Sequence, residues 1–292
     1  MDGLVRHEAK ALLDRRFLLA EGPFYVAKEN ILGWVDIKAG ALLLYETDTC
    51  KLRELQTGQY LGAAVPTRGG SYLSAMTTGI YLLNEERGLK LLCRPEGLKE
   101  NYRLNDGKCD PAGRFLFGTI SLFKGHDQGC LFCLEPDGTC RIMLEGVKVS
   151  NGLAWSADGK TLFYIDTPTG GVDAFDYDLD KGEISNRRRI FTVNSGYPDG
   201  MTIDSCGMLW IALWGGGKVV RVDPAYGTVL AEIILPAKNV TSCCFGGADM
   251  GTLFITTSGE GFSDAGAGKI YEVCPGVSGA RTVEFDDSEI IF

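Results

Sequence analysis

Four side chains that carry oxygen atoms recur at one phase of a sequence repeat. Glu21, Asn105, Asn151 and Asp199 each stand near a glycine and precede an apolar run by ten or eleven positions. Two carboxylates and two amides around one axis would be energetically unfavourable without bonding partners, and a bound divalent cation would provide one. Oxygen ligands suit calcium, magnesium or manganese, and zinc is also compatible. A cation with an open coordination position could bind and polarise a carbonyl or phosphoryl oxygen there, or activate a bound water.

Acid–glycine and Asn–Gly pairs also occur in ordinary hairpin turns. The pairs Asp137-Gly138 and Asp158-Gly159 are interpreted as turns. The turn interpretation stays open for any single member of the repeated set. Because four side chains of one type share one repeat phase, metal binding is the preferred interpretation of the set.

Other catalytic arrangements find little support in the sequence. The two histidines are His7, in the terminal segment, and His126, which is expected in a loop near the mouth of the site. The chain lacks a GxSxG elbow and the glycine spacing of nucleotide-binding loops. Cys130 and Cys133 form one CxxC without a second pair, so a zinc site is disfavoured.

The residues of interest are positioned by a repeat of short β-prone segments. Apolar runs begin at intervals of 40, 43, 47, 47 and 44 residues, at Leu32, Tyr72, Phe115, Leu162, Leu209 and Leu253. Further short β-prone runs follow each of them. Six units of about 40–50 residues with about four strands each are typical of a β-propeller. The prediction is an all-β, six-bladed β-propeller with a central tunnel, as a single domain over residues 1–292.

In such a ring the first strand of each unit lies nearest the axis, and all six run in the same direction. Residues that begin these strands are therefore expected to meet at one mouth of the tunnel, although they are far apart in the sequence. Leu61-Gly62 in unit two and Thr241-Ser242 in unit six bring no charge.

The ring needs a closing strand, because open blades expose sheet edges. The N-terminal segment HEAKALLDRRFLL is the preferred outer strand of the last blade, although a helix is the alternative for it. The C-terminal TVEFDD is the other candidate for this closure.

Composition restricts the class of partner. The chain has 292 residues, a net charge of −9 and 45% hydrophobic residues. An acidic surface disfavours nucleic acid and anionic membranes, and no apolar run is long enough to cross a bilayer. Ten scattered cysteines and the lack of a signal peptide predict reduced thiols in a cytoplasmic protein. A monomer is expected.

Several longer motifs then carry a resemblance. They are EGP at 21–23, RLNDGKCDPAGRFLFGT at 103–119, SNGLAW at 150–155, VDAFDYDLDKGEISNRR at 172–188, YPDGMTID at 197–204, LWIALWGGGKVVRVDP at 209–224 and TSCCFGG at 241–247. Together they strongly resemble the gluconolactonase/regucalcin family, also called senescence marker proteins. The likeness extends from about Glu21 to about residue 260.

The resemblance implies a six-bladed propeller with one divalent metal in its tunnel, and hydrolysis of a sugar lactone to the aldonic acid. It implies that Glu21, Asn151 and Asp199 are the metal ligands, with Asp199 also positioning or deprotonating the attacking water. Arg103 and Asn105 would bind the sugar lactone, and His126 is a candidate substrate contact. An esterase acting on organophosphates, or a metal-binding propeller without catalysis, are the alternatives.

One departure from the family concerns specificity. Regucalcin-like members carry an acid a few residues after the position of Gly118-Thr119, whereas Ser121 and Leu122 occupy that region here. We therefore expect a less polar substrate pocket on that side. The segment 122–128 is a candidate lid, with Phe123 and His126 near the substrate, and Tyr197 and Trp214 are candidate residues of the mouth.

Overall fold

The computed structural model describes residues 4–123, 128–261 and 264–290. Its secondary structure is almost entirely β, and across those ranges no helix is long and apolar enough to span a bilayer. The strands are β1 (Val5–Glu8), β2 (Lys10–Ala11), β3 (Ala20–Val26), β4 (Ile31–Asp36), β5 (Ala41–Glu46), β6 (Lys51–Gln56), β7 (Leu61–Pro66), β8 (Tyr72–Met76), β9 (Gly79–Asn84), β10 (Gly88–Cys93), β11 (Tyr102–Cys109), β12 (Phe115–Ser121), β13 (Gly129–Leu134), β14 (Cys140–Val147), β15 (Ser150–Trp155), β16 (Thr161–Asp166), β17 (Gly171–Asp178), β18 (Glu183–Thr192), β19 (Tyr197–Ile203), β20 (Leu209–Trp214), β21 (Lys218–Asp223), β22 (Thr228–Ile234), β23 (Val240–Gly246), β24 (Thr252–Thr257) and β25 (Tyr271–Val273). A 3₁₀ turn, Thr167–Thr169, follows β16.

These strands form six blades of a β-propeller, which confirms the predicted fold class. Blades one to five are consecutive four-stranded antiparallel sheets: β3–β6, β7–β10, β11–β14, β15–β18 and β19–β22. Blade six contains β23, β24 and β25. The first strands of neighbouring blades contact one another around the whole ring, so these six strands enclose the central tunnel.

Burial along each blade explains the short apolar runs in the sequence. The second and third strands, such as β4 and β5, are buried on both faces, because neighbouring blades cover them on either side. The fourth strand, such as β6, is largely exposed or half-buried. Large aromatic side chains fill the space between blades, and Trp34 and Trp210 belong to one such cluster.

The N-terminal segment closes the ring. β2 pairs antiparallel with β25, with Lys10 opposite Glu272, and so supplies the fourth strand of blade six. β1 pairs parallel with β22 as a fifth strand on blade five. The preferred prediction for this segment is confirmed, and the helical alternative is wrong because both pieces are engaged in sheet pairing.

The C-terminal segment has a different role from the one expected. Within the described residues TVEFDD does not pair with blade six, and residues 280–283 line a second cavity with the later residues of the inner strands, at the end of the tunnel opposite the site. Ala280 donates a hydrogen bond to the Ile203 carbonyl oxygen, and Phe285 forms a parallel bridge with Thr67 of blade two. Phe285 is fully buried. The expected closure by this segment is therefore wrong, and the burial of Phe285 explains why the segment lies at this end of the tunnel.

Removing residues 1–11 is expected to destabilise the protein, because it deletes β2 and leaves β25 as an open edge. We expect the Tm to fall by about 5 °C or more and concentration-dependent aggregation to appear. Removing residues 1–8 is the matched control, since it deletes only β1 from a blade that already has four strands. Thermal unfolding and light scattering would measure both effects, and equal changes in the two truncations would contradict this account.

Candidate metal and substrate site

The predicted site residues lie at irregularities of the innermost strands. The pairing register shifts between Glu21 and Phe24 in β3, and between Asn151 and Leu153 in β15. Comparable shifts in β11 and β19 enclose Asn105 and Asp199. A β-bulge bends a strand and changes the direction of its side chains. The repeated bulge therefore allows side chains from these strands to point into the tunnel.

The glycines of the motifs are needed for close packing of neighbouring inner strands. A Cβ atom at Gly200 would overlap the side chain of Ser242, and one at Gly152 would lie 2.8 Å from the Asp199 carbonyl oxygen. The pairs Asn151-Gly152 and Asp199-Gly200 are thus parts of strands and not hairpin turns. The predicted turns at Gly138 and Gly159 are confirmed, with φ values of 86° and 69°.

One cavity of about 370 Å³ at the mouth of the tunnel contains five of the predicted site residues: Glu21, Arg103, Asn105, Asn151 and Asp199. All five are at least nine-tenths buried. His126 lies outside the described residues. His7 is in β1, at the outer edge of blade five and away from this cavity.

Arg103 and the two asparagines form a chain of hydrogen bonds. Arg103 Nη1 donates to Asn105 Oδ1 at 2.6 Å and to the Leu104 carbonyl oxygen at 3.0 Å. Asn105 Nδ2 donates to Asn151 Oδ1 at 3.0 Å and to the Ser150 carbonyl oxygen at 2.7 Å. These contacts join blades three and four and set the orientation of both amides.

Thr167, which the sequence reasoning did not select, continues this network into blade five. It accepts a hydrogen bond from Asn151 Nδ2 at 2.7 Å and donates one to the Pro198 carbonyl oxygen at 2.8 Å. Thr167 begins the 3₁₀ turn after β16. The strand carrying Asp199 is therefore held beside Asn151 through a hydroxyl group.

The two carboxylates of the cavity are poorly compensated. Glu21 Oε2 accepts a hydrogen bond from the Gly22 amide at 2.8 Å. Burial, followed by repulsion from Asp106, raises the pKa of Glu21 to about 8. Burial, followed by repulsion from Glu21 and Asp106, raises the pKa of Asp199 well above its usual value. Attraction to Arg103 opposes both shifts, and burial lowers the pKa of Arg103 to about 10.

The buried acid Asp204 has a structural role, and its hydrogen bonds differ from those of the acids in the cavity. Asp204 accepts hydrogen bonds from the amides of Cys206 and Met208, the Trp210 indole and the Arg221 guanidinium. By contrast, among the described residues none provides a hydrogen bond that stabilises the Asp199 carboxylate. The comparison separates acids that hold loops together from acids directed into a cavity.

Asp106 is a third buried acid near the axis, and the sequence reasoning missed it. Its carboxylate accepts a hydrogen bond from the Gly107 amide at 2.8 Å, and it raises the pKa of both Glu21 and Asp199. Regular alternation along β11 would place Asp106 on the face opposite Asn105. The bulge between Leu104 and Gly107 contains both residues, and Asp106 lines a second cavity on the other side of Asn105. In the sequence, only the acid that follows Asn105 indicated it.

The cavity residues fit a hard divalent cation. Glu21 and Asp199 supply two buried carboxyl groups whose raised pKa values reflect how unfavourable their ionised forms are without a bound cation, and Asn151 supplies an amide oxygen. Such oxygen donors are those that calcium, magnesium and manganese prefer. No group of three or more His, Cys, Asp or Glu residues suited to a metal occurs in the part of the chain that the structure describes. An asparagine oxygen is therefore needed to complete a three-residue set.

The mouth of the cavity contains aromatic side chains, as expected. Tyr197 and Trp214 both line it, and Tyr197 is 57% exposed. Leu122 and Phe123 are 40% and 70% exposed at the start of the candidate lid. The central part of that segment, 124–127, lies outside the described residues. Ile120, and not Ser121, lines the cavity on this side.

A comparison with protein families matches residues 19–259 to the SMP-30/Gluconolactonase/LRE-like region. The chain is 36% identical to a regucalcin of Xenopus laevis over 94% of this chain and 97% of that protein. It is 37% identical to YvrE of Bacillus subtilis, provisionally named a sugar lactone lactonase, over 85% of this chain and 86% of that protein.

Among solved structures, a luciferin-regenerating enzyme superimposes with a TM-score of 0.90 at 27% identity. The superposition covers 95% of this chain and 98% of the other. Similarity over almost the full length of both chains shows that the whole propeller, and not one blade, is shared.

Proposed function

Because the chain belongs to the SMP-30/gluconolactonase/LRE-like family, we propose that it hydrolyses a sugar lactone to the hydroxy acid with the help of one divalent cation. Sugar lactone hydrolysis is the activity that the family and the similarity to YvrE support. The observation that carries the proposal is one cavity that contains two buried carboxyl groups with raised pKa values together with a buried arginine.

Glu21, Asn151 and Asp199 are the residues that would hold the cation. When bound there, the cation supplies positive charge that lowers the pKa of the carboxyl groups and withdraws electrons from an ester carbonyl. Calcium, magnesium, manganese, zinc and ferrous iron are all candidates. The site chemistry favours oxygen-preferring cations and does not choose one among them.

Asp199 is the proposed base. Its carboxylate takes a proton from water as the water oxygen forms a bond to the lactone carbonyl carbon. The bond between that carbon and the ring oxygen then breaks, and the ring oxygen leaves as a hydroxyl group after receiving a proton. One water is consumed, and the carboxylic acid releases one proton at neutral pH.

Arg103 and Asn105 are the proposed substrate-binding residues. Arg103 stays cationic at neutral pH, because its pKa is lowered only to about 10. Its guanidinium can donate hydrogen bonds to the developing oxyanion or to ring oxygens, where charge-assisted bonds are strongest. The hydrogen bond from Arg103 to Asn105 holds the guanidinium at the polar end of the cavity.

The direct test measures acid release from a panel of lactones by chelator-treated protein with each of the five cations restored in turn. We expect turnover with at least one cation and a loss of turnover in the chelated protein. Failure of every lactone with every cation would overturn the proposal. Turnover of phosphotriesters alone would favour the organophosphate esterase, and cation binding without turnover would favour a non-catalytic propeller.

A monomer remains the proposed state. A cytoplasmic location also remains a proposal, supported by the ten free cysteines, because unpaired thiols suit a reducing compartment.

A further inference from the structure

Apolar side chains form a large part of the cavity wall. Its apolar side chains come from four blades or their connecting loops: Leu19, Ile37, Ile120, Val149, Pro168 and Trp214. Ile120 and Val149 form a β-bridge between blades three and four, so they present one continuous surface. A substrate in this cavity would contact hydrocarbon over much of its surface.

Apart from the Arg103 guanidinium, which is assigned to the ester oxygens, the hydrogen-bonded side chains of the cavity have little remaining capacity for hydroxyl groups. Both N–H groups of Asn105 are used, by Ser150 and Asn151. Asn151 donates to Thr167, and the Thr167 hydroxyl donates to Pro198. The two carboxylates are assigned to the cation. A sugar hydroxyl that enters without finding a partner weakens binding by about tenfold or more.

Aromatic and apolar side chains are exposed at the opening of the cavity and in a second groove nearby. Tyr197 and Tyr60 are 57% and 40% exposed, and Leu122 is 40% exposed. Tyr60 lies near enough to Arg103 to influence its pKa, and it lines an adjoining groove with Leu122. Exposed apolar side chains around an opening are typical of a binding surface for an apolar group.

We infer that the substrate range extends beyond sugar lactones to lactones with few hydroxyl groups whose ring carries an alkyl or aryl substituent, and that these are the better substrates, an inference that rests on the proposed lactonase function. The ester group lies against Arg103 and the carboxylates. The substituent lies against Ile120 and Val149 and extends toward Tyr197 at the mouth. Hydrolysis of such a lactone consumes one water and yields a hydroxy acid with an apolar tail.

The test compares γ-lactones with alkyl chains of increasing length against polyhydroxylated lactones of the same ring size. Each added methylene should lower KM by about fourfold until the apolar wall is covered. The alkyl lactones should also have the higher kcat/KM. A KM that is independent of chain length, together with more efficient turnover of the polyhydroxylated lactones, would overturn the inference.

Two variants test the wall itself. Ile120→Ser and the nearly isosteric Val149→Thr should both weaken the dependence of KM on alkyl chain length. For Ile120→Ser, the KM ratio between the shortest and the longest alkyl lactone should fall by about tenfold. Ile142→Ser is the matched control, because Ile142 lies in β14, is 40% exposed and does not line the cavity. Val149→Thr keeps the test valid if Ile120→Ser fails to fold. Unchanged chain-length dependence in folded variants would contradict the assigned wall.

Binding of alkyl-substituted lactams, which resist hydrolysis, separates this inference from the proposed function. Calorimetry should show tighter binding with each methylene. Lactam binding that depends on alkyl chain length, without turnover of any lactone, would contradict the proposed function but support the apolar site. Turnover of hydroxylated lactones without chain-dependent lactam binding would keep the function and end the inference.

Discussion

Asp199→Asn is expected to lower kcat/KM for lactone hydrolysis by about 10²–10⁴-fold, the range for loss of a positioned general base. The same change should raise the Tm of the cation-free protein. Burial and the neighbouring acids Glu21 and Asp106 raise the pKa of Asp199, so the ionised carboxylate is unfavourable in the folded state. Asparagine keeps the shape without the charge. Steady-state kinetics and thermal unfolding in chelator measure the two effects.

Asp180→Asn is the matched control for this variant. Asp180 is an exposed aspartate in the turn after β17, and its replacement should change neither quantity by more than a small amount. Full activity of Asp199→Asn would contradict the assignment of the base. A lower Tm in the cation-free variant would contradict the conclusion that the Asp199 carboxylate is uncompensated.

Removing the cation should abolish turnover and make the stability of the protein depend on pH. The pKa of Glu21 is raised from 4.5 to about 8 in the folded protein. The folded state therefore holds this proton more tightly than the unfolded state does. The contribution of the Glu21 carboxyl group to the free energy of unfolding is therefore complete below pH 4.5 and is lost as the pH rises through about 8.

A bound cation should reverse this trend, because it requires ionised ligands and binds the folded state preferentially. The Tm difference between cation-saturated and chelated protein should thus be larger at pH 8 than at pH 5, and unfolding scans at both pH values would measure it. Glu21→Gln should weaken the pH dependence of the chelated protein, since it removes the titrating group. Identical pH profiles with and without cation would show that no cation binds these carboxylates.

Much of the architecture was predictable from the sequence because its cause is local. Apolar runs such as those beginning at Leu32 and Leu209 form the buried second strands of their blades, and their spacing counts the blades directly. The N-terminal closure was predictable because a ring of blades without it would expose a sheet edge. The C-terminal segment was not, since TVEFDD has the character of a strand but little to reveal its partner.

The polar contacts within the site were less accessible to sequence reasoning. Asp106 and Thr167 were missed because their roles depend on a strand bulge and on a contact across two blades. The apolar side chains Leu19 and Ile37 were missed as well. In a sequence they are indistinguishable from core residues, because only the position of the cavity decides which side of them is open.

By itself, the sequence determined the number of blades, the strand that closes the ring and the side chains that begin the inner strands. These features depend on hydrophobic period and strand direction, which are properties of short segments. The tertiary structure alone decided that no described residue donates a hydrogen bond to Asp199, in contrast to Asp204, and that hydrocarbon lines much of the rest of the cavity. Burial and unpaired charge are relations between residues distant in the chain, and they exist only once the blades have packed together.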